Sequence, residues 1–167
     1  MSKQSVDDGE FAAYEASFPN HRDERLRLWQ QSLESLVALP FSIRRATPTP
    51  SDASRMWDMQ LACSPISVLP LRKNAEAIDE SIVLIAEIDQ VHVGFCVALP
   101  GPSSSDPLFA QVVAVVPPLM GRGIGPALLE HVASHHPNRD IILATQDSNV
   151  AARAMNARFA EAIGASI

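Results

Sequence analysis

The chain has 167 residues, with 13 basic side chains against 19 acidic ones, 47% apolar residues and 5% aromatics. That length is one domain with a substantial core, burying roughly 70% of its unfolded surface, and the composition excludes collagen-like, disulfide-scaffold and wholly disordered chains. A net charge of −6 argues against nucleic acid and anionic membranes as partners, and no apolar run approaches the ~18 residues that span a bilayer.

Residues 1–40 read as an N-terminal helical extension, and residues 41–167 as the main domain. Asp7, Asp8, Glu10 and Glu15, without an apolar stretch, exclude a signal peptide. Phe11, Tyr14 and Phe18 recur at helical spacing, and Pro19-Asn20 is expected to end that helix. Leu26, Trp29, Leu33, Leu36 and Val37 form a second apolar stripe that stops at Pro40. The pair is either a cap on the domain's own core or a surface for a partner.

Phe41–Ala46 reads as a strand and Thr47–Asp52 as a turn with helix-starting residues. Ala53–Ala62 follows as a helix with Met56, Trp57 and Leu61 inward. Ser64–Leu71 carries Pro65 and Pro70 and reads as a loop or a broken helix, and Arg72–Asp79 as a short helix. Ser81–Ile88, a two-residue turn at Asp89-Gln90, and Val91–Leu99 form a hairpin. After the Ser/Pro/Gly loop 100–107, the nearly all-apolar stretch Leu108–Val116 reads as a strand buried on both faces. A helix over Gly123–His135, a strand over Ile141–Thr145 and a helix over Asn149–Ile163 complete an α+β order with one crossover. Cys63 and Cys96, far apart and without a CxxC pair, read as free buried thiols of a cytoplasmic protein. Two lysines against eleven arginines point to a GC-rich bacterial genome.

The chemistry lies where the apolar strand runs into Met120-Gly-Arg-Gly-Ile-Gly-Pro-Ala127. Gly121, Gly123 and Gly125 alternate in a turn that opens a helix, where unsatisfied N–H groups and the helix dipole attract a phosphate. No lysine follows as a Walker loop requires, and Pro126 with the preceding meander fits a dinucleotide fingerprint poorly. A turn that only caps a helix is the competing reading. His131 and His135 share a helix face, but no HExxH or third ligand accompanies them, so no metal is expected.

With Val113, Val115, Pro117, Gly121, Gly123, Ile124, Gly125, Ala127, Leu128 and Leu129 in register, the chain resembles the GNAT N-acetyltransferase superfamily. Ser42–Thr47 with Pro50-Ser-Asp52, the strand around Gly94, and Ile141–Ala144 followed by Asn149 extend the resemblance over residues 41–165. It implies a mixed, mostly antiparallel central sheet flanked by helices, with acetyl-CoA as acyl donor and a small-molecule or peptide amine as acceptor. It further implies that the pyrophosphate lies on the turn from Met120 through Gly121, Arg122, Gly123 and Ile124 to Gly125 and Ala127. Pantetheine would run beside Val113 and Val115, and Asn149 would touch it from the last helix. Direct attack by the amine on the thioester is the implied reaction. The stretch Ile66, Val68, Leu69 and Leu71 would wall the acceptor site, unless it is ordinary core.

This sequence departs from that pattern at four places. Met120 stands where Arg or Gln is usual, and Pro126 lacks an N–H. The tyrosine that serves as general acid is replaced by Asn156, or by Ala160 in an alternative alignment. Gln111 occupies the position of a strand glutamate that serves as base. Glu87 and His92 on the neighbouring hairpin are the candidate substitutes. These losses also favour an alternative, an inactive GNAT-fold module that binds CoA or a protein partner. The chain stops at Ile167, so a short sheet with an open edge beside the last helix is expected, covered by the N-terminal extension or by a second copy in a homodimer.

Overall fold

The computed structural model describes residues 8–36 and 40–166. Five strands, β1 (Ser42–Arg45), β2 (Ile82–Ile88), β3 (Val91–Leu99), β4 (Leu108–Val115) and β5 (Ile141–Leu143), form one sheet in chain order among the described residues. The first four are antiparallel; β5 runs parallel to β4. That junction requires a crossover, supplied by α4 (Ile124–His135). Helices α1 (Asp8–Leu33), α2 (Pro50–Ala62) and α3 (Leu71–Glu80) pack together over β2 and β3. The helix α4 lies on the other face, with α5 (Val150–Ala162) against it.

Local chemistry accounts for most boundaries. Thr49 caps α2 by accepting from the Asp52 amide, with Pro50 in the first turn. Asn149 caps α5 in the same way through Ala152. Asp89 and Gln90 both take positive φ, the twist that a two-residue hairpin demands. Gly94 lets α4 approach β3: a Cβ there would stand 2.8 Å from the Ala114 carbonyl and 3.4 Å from Ile124.

The N-terminal segment corrects one expectation. Residues 8–33 form one helix that continues through Pro19. Pro19 lies on the exposed side, where the carbonyl it leaves unpaired can reach water. On the other side Phe11 and Phe18 are buried with Ala53, Leu71 and Ala75, and Phe18 meets the Trp57 ring edge-on at 5.2 Å. Further along, Trp29, Leu33 and Leu36 join the main core. This burial offsets the roughly 3 kcal/mol cost of an interior proline. Val37 lies outside the described residues.

Three further expectations change. Leu61 faces outward at 45% exposure, because Met56 and Met59 hold the inner face of α2. β4 is not buried on both faces: Gln111 is exposed, and Val112, Val113 and Val115 are half-buried. The N-terminal helix does not cover the β5 edge, since it packs against α2 and β3, and Ile142 on β5 stays 50% exposed.

Trp29 fastens α1 to the sheet. Its Nε1–H donates to the His92 carbonyl at 3.0 Å, and its ring stacks on the His92 ring at 4.9 Å. Trp29→Ala is therefore expected to cost about 3–5 kcal/mol in chemical denaturation. Leu28→Ala, on the exposed side, is expected to cost no more than about 0.5 kcal/mol.

Candidate active site

β4 pairs with β5 through Leu108, Phe109 and Ala110, opposite Ile141, Ile142 and Leu143, and of these only Phe109 and Ala110 also have a partner on β3. Past that point β5 leaves, and the β4 edge from Gln111 to Val115 has no strand partner among the described residues. The divergence coincides with a bulge. Val97 pairs with Val112 and Ala98 with Ala110, so Gln111 is an extra residue with no opposite number. A bulge bends the strand and turns the side chain of the extra residue away from the ladder, and Gln111 is exposed as a result.

β4 leads through a 3-10 turn, Pro117–Leu119, into the glycine segment. Gly121 and Gly123 have φ of 79° and 83°, with Gly123 as the left-handed cap of α4. Each stands over open space: a Cβ would meet nothing within 4 Å. Both are therefore glycine for backbone reasons. Gly125 is glycine for a different reason, because a Cβ there would stand 2.5 Å from Met155 Sδ on α5.

The amides of Gly121, Arg122, Gly123, Ile124 and Gly125 find no acceptor among the described residues. Ala127 is different, its amide donating to the Gly123 carbonyl at 3.1 Å. Arg122 is exposed and makes no ion pair among the described residues, and Met120 is 62% exposed. Five consecutive free donors and a free guanidinium, at the positive end of a 12-residue helix, are suited to a multiply charged anion.

The last helix holds its candidates in structural roles. Asn149 accepts from Ala152 at 3.0 Å as the α5 cap. Asn156 donates through Nδ2 to Thr145 Oγ1 at 2.8 Å, tying α5 to the chain that leaves β5. Ala160 is buried.

The hairpin candidates lie elsewhere. Glu87 and His92 face each other across β2 and β3. His92 lies five residues from Val97, roughly 16 Å along an extended strand, so neither is brought to Gln111. Glu87 pairs with Arg44, which also grips Asp52 through two 2.8 Å bonds. Burial acts upward on the Asp52 carboxyl, but Arg44, the Thr47 amide and Arg55 together hold it well below the usual carboxylate range. His92 Nε2 meets Asp58 Oδ2 at 2.7 Å, and Arg25 grips the same carboxylate at 2.6 and 2.5 Å. The Asp58–His92–Arg25 cluster was not legible in the sequence, because its members lie on three separate elements.

Of the apolar loop, Val68 and Leu69 are exposed, Ile66 is half-buried and Leu71 is core. His131 and His135 stack at 4.5 Å on an exposed face, and no group of three metal-ligating side chains occurs among the described residues. No described helix is long and apolar enough to cross a membrane.

The model of the acetyltransferase (GNAT) family matches residues 47–160. The chain belongs to that family. Among solved structures, the diaminobutyrate acetyltransferase of Paenibacillus lautus, held with L-2,4-diaminobutyric acid and coenzyme A, superposes with a TM-score of 0.65 at 23% identity. That match covers 76% of this chain and 78% of that one. The ribosomal-protein-S18-alanine N-acetyltransferase of Escherichia coli gives 0.60 at 18% identity, covering 75% and 77%. An aminoglycoside acetyltransferase from an uncultured soil metagenomic sample, solved with sisomicin, gives 0.59 at 12% identity, covering 71% and 86%. These identities establish a shared fold. No curated protein sequence matches the chain.

The contact at Gly125 yields a coupling test. The atom in the way is the movable end of Met155, so Gly125→Ala is expected to cost no more than about 1 kcal/mol, and Met155→Ala to remove that cost. A double-mutant cycle in urea should show coupling of at least about 0.5 kcal/mol; additive losses would contradict the packing role.

Proposed function

We propose that the chain binds an acyl-coenzyme A, acetyl-CoA in the first place, and transfers the acyl group to an amine of a small molecule or peptide. The observation that carries this reading is the run of five unpaired amides entering α4 beside the unpaired edge of β4. When bound, acetyl-CoA supplies an acyl group already activated as a thioester. The amides from Gly121 to Gly125, with Arg122, would hold its pyrophosphate, and Met120 and Ala127 would flank them. Backbone groups of Val113 and Val115 on the open edge would pair with pantetheine, and Asn149 would border it from α5.

Gln111 stands on the bulge at the mouth of the opening. Its carboxamide can orient an amine through a hydrogen bond but cannot take its proton. Asn156 can donate a hydrogen bond but not a proton. Glu87 is engaged by Arg44. The acceptor must therefore arrive as the free amine; the proton its nitrogen sheds on forming the amide passes to water, and the leaving thiolate takes its proton from water. An inactive module that binds CoA or a protein is the second reading, favoured by Gln111 and Asn156 standing where proton-transfer groups would serve. The activity is assigned to a bacterial cytoplasm on composition, and a second copy of the chain is proposed to pair on the β5 edge.

Titration calorimetry with acetyl-CoA is expected to give saturable binding, weakened about tenfold or more by Arg122→Glu, which reverses a charge facing the phosphates. No binding at millimolar acetyl-CoA would overturn the proposal. In a thiol-release assay over an amine panel, the rate should climb with pH until the acceptor's own pKa is reached. Binding without turnover would favour the inactive module.

A further inference from the structure

A cavity of about 290 Å³ opens between α1, α2 and the β2–β3 hairpin, lined by Tyr14, Arg25, Trp29, Ser51, Arg55 and His92 among others. It lies on the α1–α2 side of the sheet, whereas the glycine turn leads into α4 on the other. Three of these residues belong to α1, outside the segment that matches the family. The register shift between Ala86 and Glu87 makes this placement possible. Without an irregularity, His92 would point with Gly94 toward α4; the extra residue, Val93, turns His92 toward Asp58 and Trp29 instead.

The charges are layered. Asp58 and Asp52 are buried beneath, at 0% and 2% side-chain exposure, while Arg25 and Arg55 reach the cavity at 24% and 32%. Arg25 spends two of its N–H groups on Asp58, and Arg55 one on Asp52. Each guanidinium carries five, so both keep donors for a ligand. Tyr14 adds a hydroxyl, its own proton given to Ser54 at 3.2 Å.

His92 is 92% buried, and its Nε2 is committed to Asp58. Its Nδ1 has no partner among the described residues, and no fully buried polar side-chain atom there lacks one, so Nδ1 must reach the cavity that His92 lines. Burial, helped by Arg25 and Arg55, pushes the imidazole below its ordinary value despite the pull of Asp58. The neutral form of the ring is thereby favoured. With Nε2–H given to the carboxylate, Nδ1 presents a lone pair.

We propose that this cavity binds a small hydroxycarboxylate, its carboxylate on Arg25 and Arg55 and its hydroxyl donating to His92 Nδ1. The two guanidiniums call for an anion, and the lone pair calls for a neutral donor beside it. An ammonium would be repelled by the guanidiniums. The cavity has room for a ligand of this size without reaching the acyl-donor edge of β4.

The test follows the indole N–H resonance of Trp29, assigned with Trp57→Phe because the chain has two tryptophans, during titration with lactate and with propionate. Lactate is expected to saturate below about 10 mM and to bind roughly five- to tenfold tighter than propionate, the worth of one hydrogen bond. His92→Phe removes the acceptor while Asp58 keeps both N–H groups of Arg25, and should bring the two affinities together. Arg55→Met should weaken both about tenfold while leaving the melting temperature nearly unchanged, since Asp52 keeps Arg44. Saturating CoA should not alter lactate affinity. No saturable shift, equal affinity for lactate and propionate, tighter binding of inorganic phosphate than of lactate, or displacement by CoA would each overturn the proposal.

Discussion

The divergence of β5 from β4 is the constraint on which the candidate site depends. Three residue pairs hold the two strands together; then Gln111 bulges out of the β3 ladder and β4 continues with one edge free. A free strand edge inside a domain is a row of unsatisfied donors and acceptors. Here it runs directly into five more unpaired amides at the start of α4. The close seating of α4 on β3, which Gly94 permits, and of α5 on α4, which Gly125 permits, fixes where those amides stand. Two glycines thus supply conformation, at 121 and 123, and two supply clearance, at 94 and 125.

The other face is organised by charge. The inner side of α2 carries Asp52 and Asp58, both buried. Asp52 draws in Arg44, which reaches Glu87 on β2, and Asp58 draws in Arg25 from α1 and His92 from β3. Buried carboxylates are costly unless fully partnered. Here every one has a guanidinium, and no buried side-chain polar atom among the described residues lacks a partner. The cost of burying these charges is met by joining five elements, α1, α2, β1, β2 and β3. The cavity above the cluster therefore presents the positive ends of its pairs.

Much of this was legible in the sequence. The hairpin at Asp89-Gln90 and the α4 boundaries followed from periodicity and turn chemistry, the glycine turn was recognisable from its motif, and the mixed sheet followed from the family resemblance that motif carries. Pro19 misled, because a local helix-breaking rule is overridden when Phe11, Phe18 and Trp29 bury the same face of one long helix. Leu108–Val116 looked buried on both sides because composition cannot show where a neighbouring strand departs. The alternation of Gly121, Gly123 and Gly125 suggested one shared role, and only packing against Met155 separates the third from the other two. Arg25, Asp58 and His92 are far apart in the chain, and no spacing rule joins them.

The central claim is that the open β4 edge and the amides entering α4 are one continuous surface for the acyl donor. Hydrogen–deuterium exchange with and without CoA tests it most directly. The account predicts that CoA slows exchange in two stretches together, at Val113–Val115 and at Gly121–Gly125, while the hairpin at Asp89-Gln90 is unchanged. Protection confined to the hairpin side, or none in either stretch at saturating CoA, would contradict it.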